Sequence, residues 1–237
     1  MNSRAGVIAP RLGYRSIVDR VTAETAAGTI KSSRFADEQI RSLVRQVFSP
    51  GWPRPVRQAV FSSIEANEAV GELCSQVGRE LAAQVSGAVC IVETERESTD
   101  EECGRMAGLP LTATYCPGEI RQSSRQIGSN LWLTASEVFY QGSPEIMSVS
   151  WLRTRLAQLR LDFEYALLQA RPAGLCSDSA LLGSLTGGII LVLQADLTRR
   201  GPAQKASEML RAANAHLLGT VLSNRRFPIP ERLYRRL

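Results

Sequence analysis

The 237-residue chain has few of the side chains that most often carry catalysis. Its 28 basic residues include only two lysines, Lys31 and Lys205, and it has one histidine, His216. A Ser-His-Asp or Cys-His catalytic unit therefore has a single candidate base. The run 203–216 predicts a helix. We therefore interpret His216 as a residue at a helix C-terminus, where the helix dipole favours a positive charge.

Paired cysteines and long apolar runs are also absent. There is no CxxC pair among the five cysteines, which are Cys74, Cys90, Cys103, Cys116 and Cys176. An odd number cannot all pair within one chain, so we interpret them as reduced thiols. The uncharged stretch 179–195 is too short and too polar for a bilayer-spanning helix. Since the N-terminus also lacks the apolar core of a signal peptide, we expect a cytoplasmic protein.

The remaining composition is that of a globular protein. Hydrophobic residues make up 44% of the chain and charged residues 22%, which excludes a disordered, collagen-like or disulfide-framework chain. The length fits one α/β domain with extensions. We predict a weakly ordered lead-in at 1–33, a domain at 34–223, and a basic tail at 224–237 that carries five arginines.

Strand and helix patterns alternate along the domain. Apolar runs predict strands at 58–62, 88–92, 130–133, 165–169, 188–194 and 218–222. Amphipathic or apolar segments between them predict helices, among them 148–161, 179–185 and 203–216, the last with Thr198 as its N-cap. Such alternation is typical of a mainly parallel sheet covered by helices on both faces.

The first predicted helix, 36–48, has two distinct faces. Ile40 and Val44 belong to an apolar stripe, whereas Glu38, Arg41 and Arg45 fall on the other side. We expect the stripe to pack on the domain or on a second copy, and the charged face to be open for a partner.

Several blocks of the second half are similar to one bacterial family in order and spacing. They are YALLQARP at 165–172, SDSALL at 177–182, GIILVLQADLTRR at 188–200 and LGTVLSN at 218–224. Over residues 35–237 the chain resembles the bacterial tyrosine autokinases of capsule and exopolysaccharide synthesis, of the CpsD/CapB type. These are relatives of the MinD/ParA-like P-loop class. The resemblance implies a single P-loop-like α/β domain.

The nucleotide motifs of that family are degenerate here. Its Walker A turn superposes on 62–72, where Ala69 replaces the glycine, Val70 the lysine and Gly71 the magnesium-binding Ser/Thr. Gln169 replaces the aspartate of a later motif, and no GxxxxGK[ST] occurs elsewhere. We therefore predict no catalytic residue, no cofactor and no metal site. Glu93 and Glu95 occupy the second motif as a weaker candidate metal pair, within an acidic run that suits a solvated loop.

Two other sequence features of the family, its tyrosine cluster and its oligomerisation pattern, are only partly present. The tail holds one tyrosine, Tyr234, instead of a cluster of phosphorylation sites. The family's oligomerisation pattern, Glu-x-x-Arg-x-x-Arg, is met by Glu38 and Arg41 but has Val44 at its third position. We do not expect ring formation through this helix, while a homo-oligomer or partner contact stays open.

These residues favour one hypothesis over three others. The favoured one is a catalytically inactive pseudo-ATPase that serves exopolysaccharide assembly as an interaction subunit. The resemblance implies as partner a membrane polysaccharide co-polymerase or a complete tyrosine kinase.

The first alternative is an active kinase or ATPase with a lysine from outside the loop, Lys31 or Lys205. The second is nucleic-acid binding through the tail and Arg121, Arg125, Arg153, Arg155 and Arg160, which the modest charge of +5 disfavours. The third is peripheral contact of the tail with a membrane.

Overall fold

The computed structural model describes residues 34–49, 56–66, 69–94, 118–140 and 148–223. The elements in chain order are α1 (Arg34–Phe48), β1 (Gln58–Ser63), α2 (Ala69–Gln84), β2 (Val89–Glu93), α3 (Glu119–Ser123), β3 (Arg125–Gln126), β4 (Leu131–Thr134), α4 (Ser136–Phe139), α5 (Val149–Asp162), β5 (Tyr165–Gln169), α6 (Asp178–Leu185), β6 (Ile189–Gln194), α7 (Arg200–Ala212) and β7 (Leu217–Ser223). No helix within these ranges is both long and apolar enough to cross a bilayer. The predicted lead-in and tail lie outside them.

The strands form one seven-stranded sheet in the order β3-β4-β2-β5-β1-β6-β7. Every neighbouring pair is parallel except β3 and β4, which are antiparallel. The strand with the longest apolar run, β6, lies next to the edge and not at it. The predicted α/β class with a mainly parallel sheet is therefore confirmed.

Each face of the sheet has its own apolar core, because successive side chains of a strand point to opposite faces. On β2, Val89 and Ile91 contribute to the core beneath α1 and α2, whereas Cys90 and Val92 contribute to the core beneath α3 to α7. We call these the α2 face and the α5 face. Helices therefore cover both sides, as the sequence predicts.

The apolar stripe of α1 packs on the domain. Val44, Val47 and Phe48 are buried in the core of the α2 face, and the ring of Phe48 meets that of Tyr165 edge-on at 6.0 Å. The opposite face is not wholly open, because Arg41 Nε lies 3.4 Å from Glu80 Oε1 on α2. The expected packing is confirmed, and the expectation of a free charged face needs this correction.

The region between β6 and β7 differs from its prediction in two respects. Thr198 is not an N-cap: α7 follows Arg199, and Thr198 Oγ1 accepts a hydrogen bond from the Gln194 amide at 2.8 Å. The helix also ends at Ala212, before Asn214 enters the left-handed region with φ 56°. His216 is exposed beyond that turn, so its interpretation as a helix C-terminal residue is wrong.

Of the three cysteines in the described residues, Cys74 and Cys90 are buried in the cores, which makes their thiols unreactive. Burial raises the pKa of the Cys90 thiol to about 12, and burial raises the pKa of Cys74 as well. At pH 8 only about one Cys90 in ten thousand is then a thiolate, the reactive form, and this fraction stays small until the pH approaches 12. We expect alkylation of the native protein at pH 8 to modify the half-buried Cys176 much faster than either buried cysteine.

Peptide mass spectrometry after timed alkylation measures these rates. Unfolding in urea is the control, because it should make Cys74, Cys90 and Cys176 react alike. Native Cys90 modified as fast as Cys176 would contradict the placement of β2 in the centre of the sheet.

Candidate functional site

The carboxyl ends of β2, β5 and β1 meet at one edge of the sheet, where α/β proteins of this kind bind ligands. Helix α2 begins at the same edge, directly after the turn that leaves β1. The positions that the resemblance assigns to nucleotide chemistry, Val70, Gly71 and Gln169, are all brought to this edge. Residues 67 and 68 of the intervening turn lie outside the described ranges.

Val70, in the first turn of α2, is part of the core. Its side chain is 3% exposed and belongs to the apolar cluster of the α2 face, with Leu73 and Cys74. Gly71 is buried beside it. At the position where the resemblance expects a phosphate-binding lysine, the structure therefore has an apolar side chain directed into the protein.

Glu93 and Gln169 stand side by side at the ends of β2 and β5, where they are register partners. They lie on the α2 face, because Ile91 and Leu167, two residues earlier on the same strands, belong to that core. Gln169 is 8% exposed, and its Oε1 accepts no hydrogen bond from the described residues. The register thus places Glu93 beside Gln169, whereas Glu95, the other member of the candidate metal pair, lies outside the described ranges.

The chain after β2 is fixed by hydrogen bonds to the neighbouring strand. The amide and hydroxyl of Thr94 both donate to the Gln169 carbonyl, at 3.1 and 2.8 Å. The hydroxyl of Tyr140 donates to the Thr94 carbonyl at 3.0 Å. These hydrogen bonds hold the ends of β2 and β5 together.

The turn after β1 is held in the same way by the loop after β5. Ser62 Oγ donates to the Arg171 carbonyl at 2.7 Å, and the Gly174 amide donates to the Ile64 carbonyl at 3.1 Å. A Cβ at position 174 would lie 2.4 Å from the Ile64 oxygen, so only glycine allows this approach. The Ser62 hydroxyl is thus used to anchor a loop.

One cation near this edge was missed by the sequence reasoning. Arg171 directly follows β5, and its guanidinium lies 3.9 Å from the Asp178 carboxylate with 40% of the side chain exposed. The signal for it was available, since a basic residue after a buried parallel strand reaches the ligand-binding edge.

The lysines proposed as replacements are not brought to Val70 by the described structure. Lys205 is exposed on α7, which packs through Leu210 on the α5 face, opposite to Val70. Lys31 lies outside the described ranges.

The arginines considered for nucleic-acid binding do not share one free surface. Arg155 is buried and donates to the carbonyls of Phe139 and Val138. Arg160 donates to Gln58 Oε1 at 2.9 Å, and the guanidinium of Arg121 stacks 4.1 Å from the Trp132 ring. Three of the five candidate arginines are therefore engaged within the protein.

Comparison with known proteins gives a local match in sequence. No family model matches the chain. The tyrosine-protein kinase CpsD of Streptococcus agalactiae is 33% identical over 61 residues, which are 26% of this chain and 27% of that protein. A second CpsD, from serotype III of the same species, matches equally over 61 residues. The match thus spans about a quarter of the length of these curated relatives.

Comparison of the fold gives matches over most of the chain. The chimerical protein CapA2B2 superposes with a TM-score of 0.60 at 18% identity, covering 81% of this chain and 86% of that one. The kinase domain of the Escherichia coli tyrosine kinase ETK gives 0.58 at 14%, covering 82% and 79%. The cell division protein MinD of Aquifex aeolicus gives 0.50 at 12%, covering 76% and 72%. The chain therefore has the fold of bacterial tyrosine kinase domains and of MinD-like proteins, which confirms the resemblance drawn from its sequence.

Proposed function

We propose that this protein is a catalytically inactive, tyrosine-autokinase-like subunit that serves capsule or exopolysaccharide synthesis through its interactions. The observation that carries the proposal is the burial of Val70 in the core at the motif's lysine position. The pathway is proposed from the relatives, which are tyrosine-protein kinases by name.

Electrostatics at the carboxyl edge oppose a triphosphate. Glu65 and Glu72 are exposed around the start of α2, and Glu93 lies at the end of β2. The N-terminus of α2 offers a dipole equivalent to only about half a positive charge. Arg171 is already shared with Asp178. Several negative phosphate groups would therefore meet net negative charge where an active P-loop provides a lysine and glycine amides.

The same residues do not fit the magnesium ion that accompanies nucleotides in P-loop proteins. Gly71 has no hydroxyl, and Gln169 presents a neutral amide oxygen where an anionic ligand is expected. The buried Gln169 Oε1 is an acceptor without a partner among the described residues, yet a neutral acceptor does little to balance a divalent charge. We therefore derive no catalytic step through Mg·ATP.

A protein with this fold and an inactive site can still bind partners through its surface. The proposed partner is a membrane polysaccharide co-polymerase or a complete tyrosine kinase of the same pathway. The proposed location is the cytoplasm, at the inner face of the membrane. The basic tail at 224–237 would add attraction to anionic lipids there.

Autophosphorylation with radiolabelled ATP tests the proposal. We expect no label on the purified protein under conditions in which an active CpsD-type kinase labels itself. Label that is lost on changing Tyr234→Phe would overturn the proposal.

An active enzyme with a rewired site is the second candidate, because Arg171 supplies a cation at the correct edge. This candidate predicts ATP turnover that Arg171→Ala abolishes. The matched control is Arg153→Ala, an exposed arginine on α5 that should leave such turnover unchanged.

A further inference from the structure

Among the described strands, β7 ends the sheet, and none of them pairs with the outer side of its backbone. It pairs with β6 along one side, and no described strand lies along the other. Its sequence, LLGTVLS, contains neither charge nor proline, the residues that usually protect such edges. A bulge at Leu217–Gly219 disturbs only its beginning, so residues 219–223 run in regular register.

The opposite edge of the sheet is protected. It ends in β3, which has two residues, Arg125 and Gln126, both exposed and paired antiparallel to β4. A strand this short offers few backbone groups for pairing, and Arg125 adds a charge. The two edges therefore differ in the features that allow another strand to add.

Pairing with β6 fixes which way the β7 side chains point. Val221 is the register partner of Val192, which places it on the α2 face. Thr220 and Leu222 point to the α5 face, where both are exposed, Leu222 to 52%. On the α2 face a groove of about 120 Å³ lies between α1, at Leu43, and β7, at Leu218.

This edge is complementary to itself. If a second β7 pairs antiparallel about a twofold axis at Val221, the valines of the two copies meet on the α2 face. Thr220 of each copy then lies opposite Leu222 of the other on the α5 face, which covers both exposed leucines. Residues 219–223 carry no charged side chain. Pairing two copies of this segment in that register therefore brings no like charges together.

We propose that two copies of this protein associate antiparallel through β7 and join their sheets into one continuous sheet. A twofold contact of this kind uses the same surface on both copies, and the main-chain hydrogen bonds of an added strand provide the attraction. The proposal is independent of nucleotide chemistry, so it stands or falls separately from the proposed function.

Sedimentation equilibrium of the full chain across the micromolar range tests the association. We expect the mean mass to rise from that of a monomer toward that of a dimer. Thr220→Lys combined with Leu222→Lys places like charges opposite one another across the axis, and it should weaken dimerisation at least tenfold. The matched control is Leu161→Lys, which changes a leucine that is 71% exposed on α5 and should leave the mass unchanged.

Cysteine cross-linking tests the register. In oxidising conditions Val221→Cys should form a disulfide-linked dimer, because position 221 meets itself across the axis. Ser223→Cys should not, since its counterpart is Gly219. Monomeric mass at every concentration, a dimer that the double lysine variant leaves intact, or equal cross-linking of both cysteine variants would overturn the proposal.

Discussion

Changing Val70→Lys is expected to lower the free energy of unfolding by about 3 kcal/mol, because it directs a charge into an apolar core. The lysine replaces a side chain that is 3% exposed in the cluster of the α2 face. The same change would restore the lysine of the family's motif. The loss in free energy of unfolding therefore measures how strongly the core depends on an apolar side chain at this position. Urea unfolding followed by circular dichroism measures the difference.

Glu72→Lys is the control for this experiment. It introduces the same cation in the same first turn of α2, but at an exposed position, and should cost no more than about 1 kcal/mol, from the unfavourable interaction with the helix dipole. If the Val70→Lys protein is as stable as the Glu72→Lys protein, side chain 70 reaches solvent. The lysine position is then not filled by the core, and the main support for an inactive site is lost.

Changing Asp162→Ala is expected to cost about 2 kcal/mol or more, because one carboxylate serves three amides of a distant segment. It accepts hydrogen bonds from the amides of Gly118, Ile120 and Arg121, at 2.7, 3.0 and 3.2 Å. Removing the acceptor leaves partly buried donors unsatisfied at the start of α3. Hydrogen exchange of these amides should accelerate together with the loss of global stability.

Glu119→Ala is the matched control, since it removes a carboxylate from α3 itself. We expect it to leave the exchange of the Gly118 and Ile120 amides nearly unchanged. Equal acceleration in both variants would mean that general helix electrostatics, and not the Asp162 contacts, hold this segment.

The long, strongly patterned elements follow from local sequence. The strand Tyr165–Gln169 is found with the bounds predicted for it, because an apolar run of five residues between polar segments fits a buried parallel strand. The short elements α3, β3 and α4 were not predicted. They are stabilised by distant groups, such as the Asp162 carboxylate and the Arg155 guanidinium, which no periodic pattern reveals.

In the candidate site too, some features follow from the local sequence and others depend on distant contacts. The sequence predicts which motif residues are replaced, and the structure brings Val70, Gly71 and Gln169 to one edge as expected. That Val70 faces the core, and that Arg171 lies near the turn after β1, depends on tertiary packing. Residue types therefore predict which charged groups the motif positions lack, whereas the direction of each side chain depends on packing that the sequence does not reveal.

Calorimetric titration of the full chain with Mg·ATP distinguishes an inactive nucleotide site from a working one, with an active CpsD-type kinase as the positive control. We expect no binding heat up to millimolar nucleotide, because Val70, Gly71 and Gln169 supply neither phosphate-binding charge nor an anionic metal ligand. Micromolar binding that Glu93→Gln abolishes would contradict this expectation and would establish a working nucleotide site at this edge.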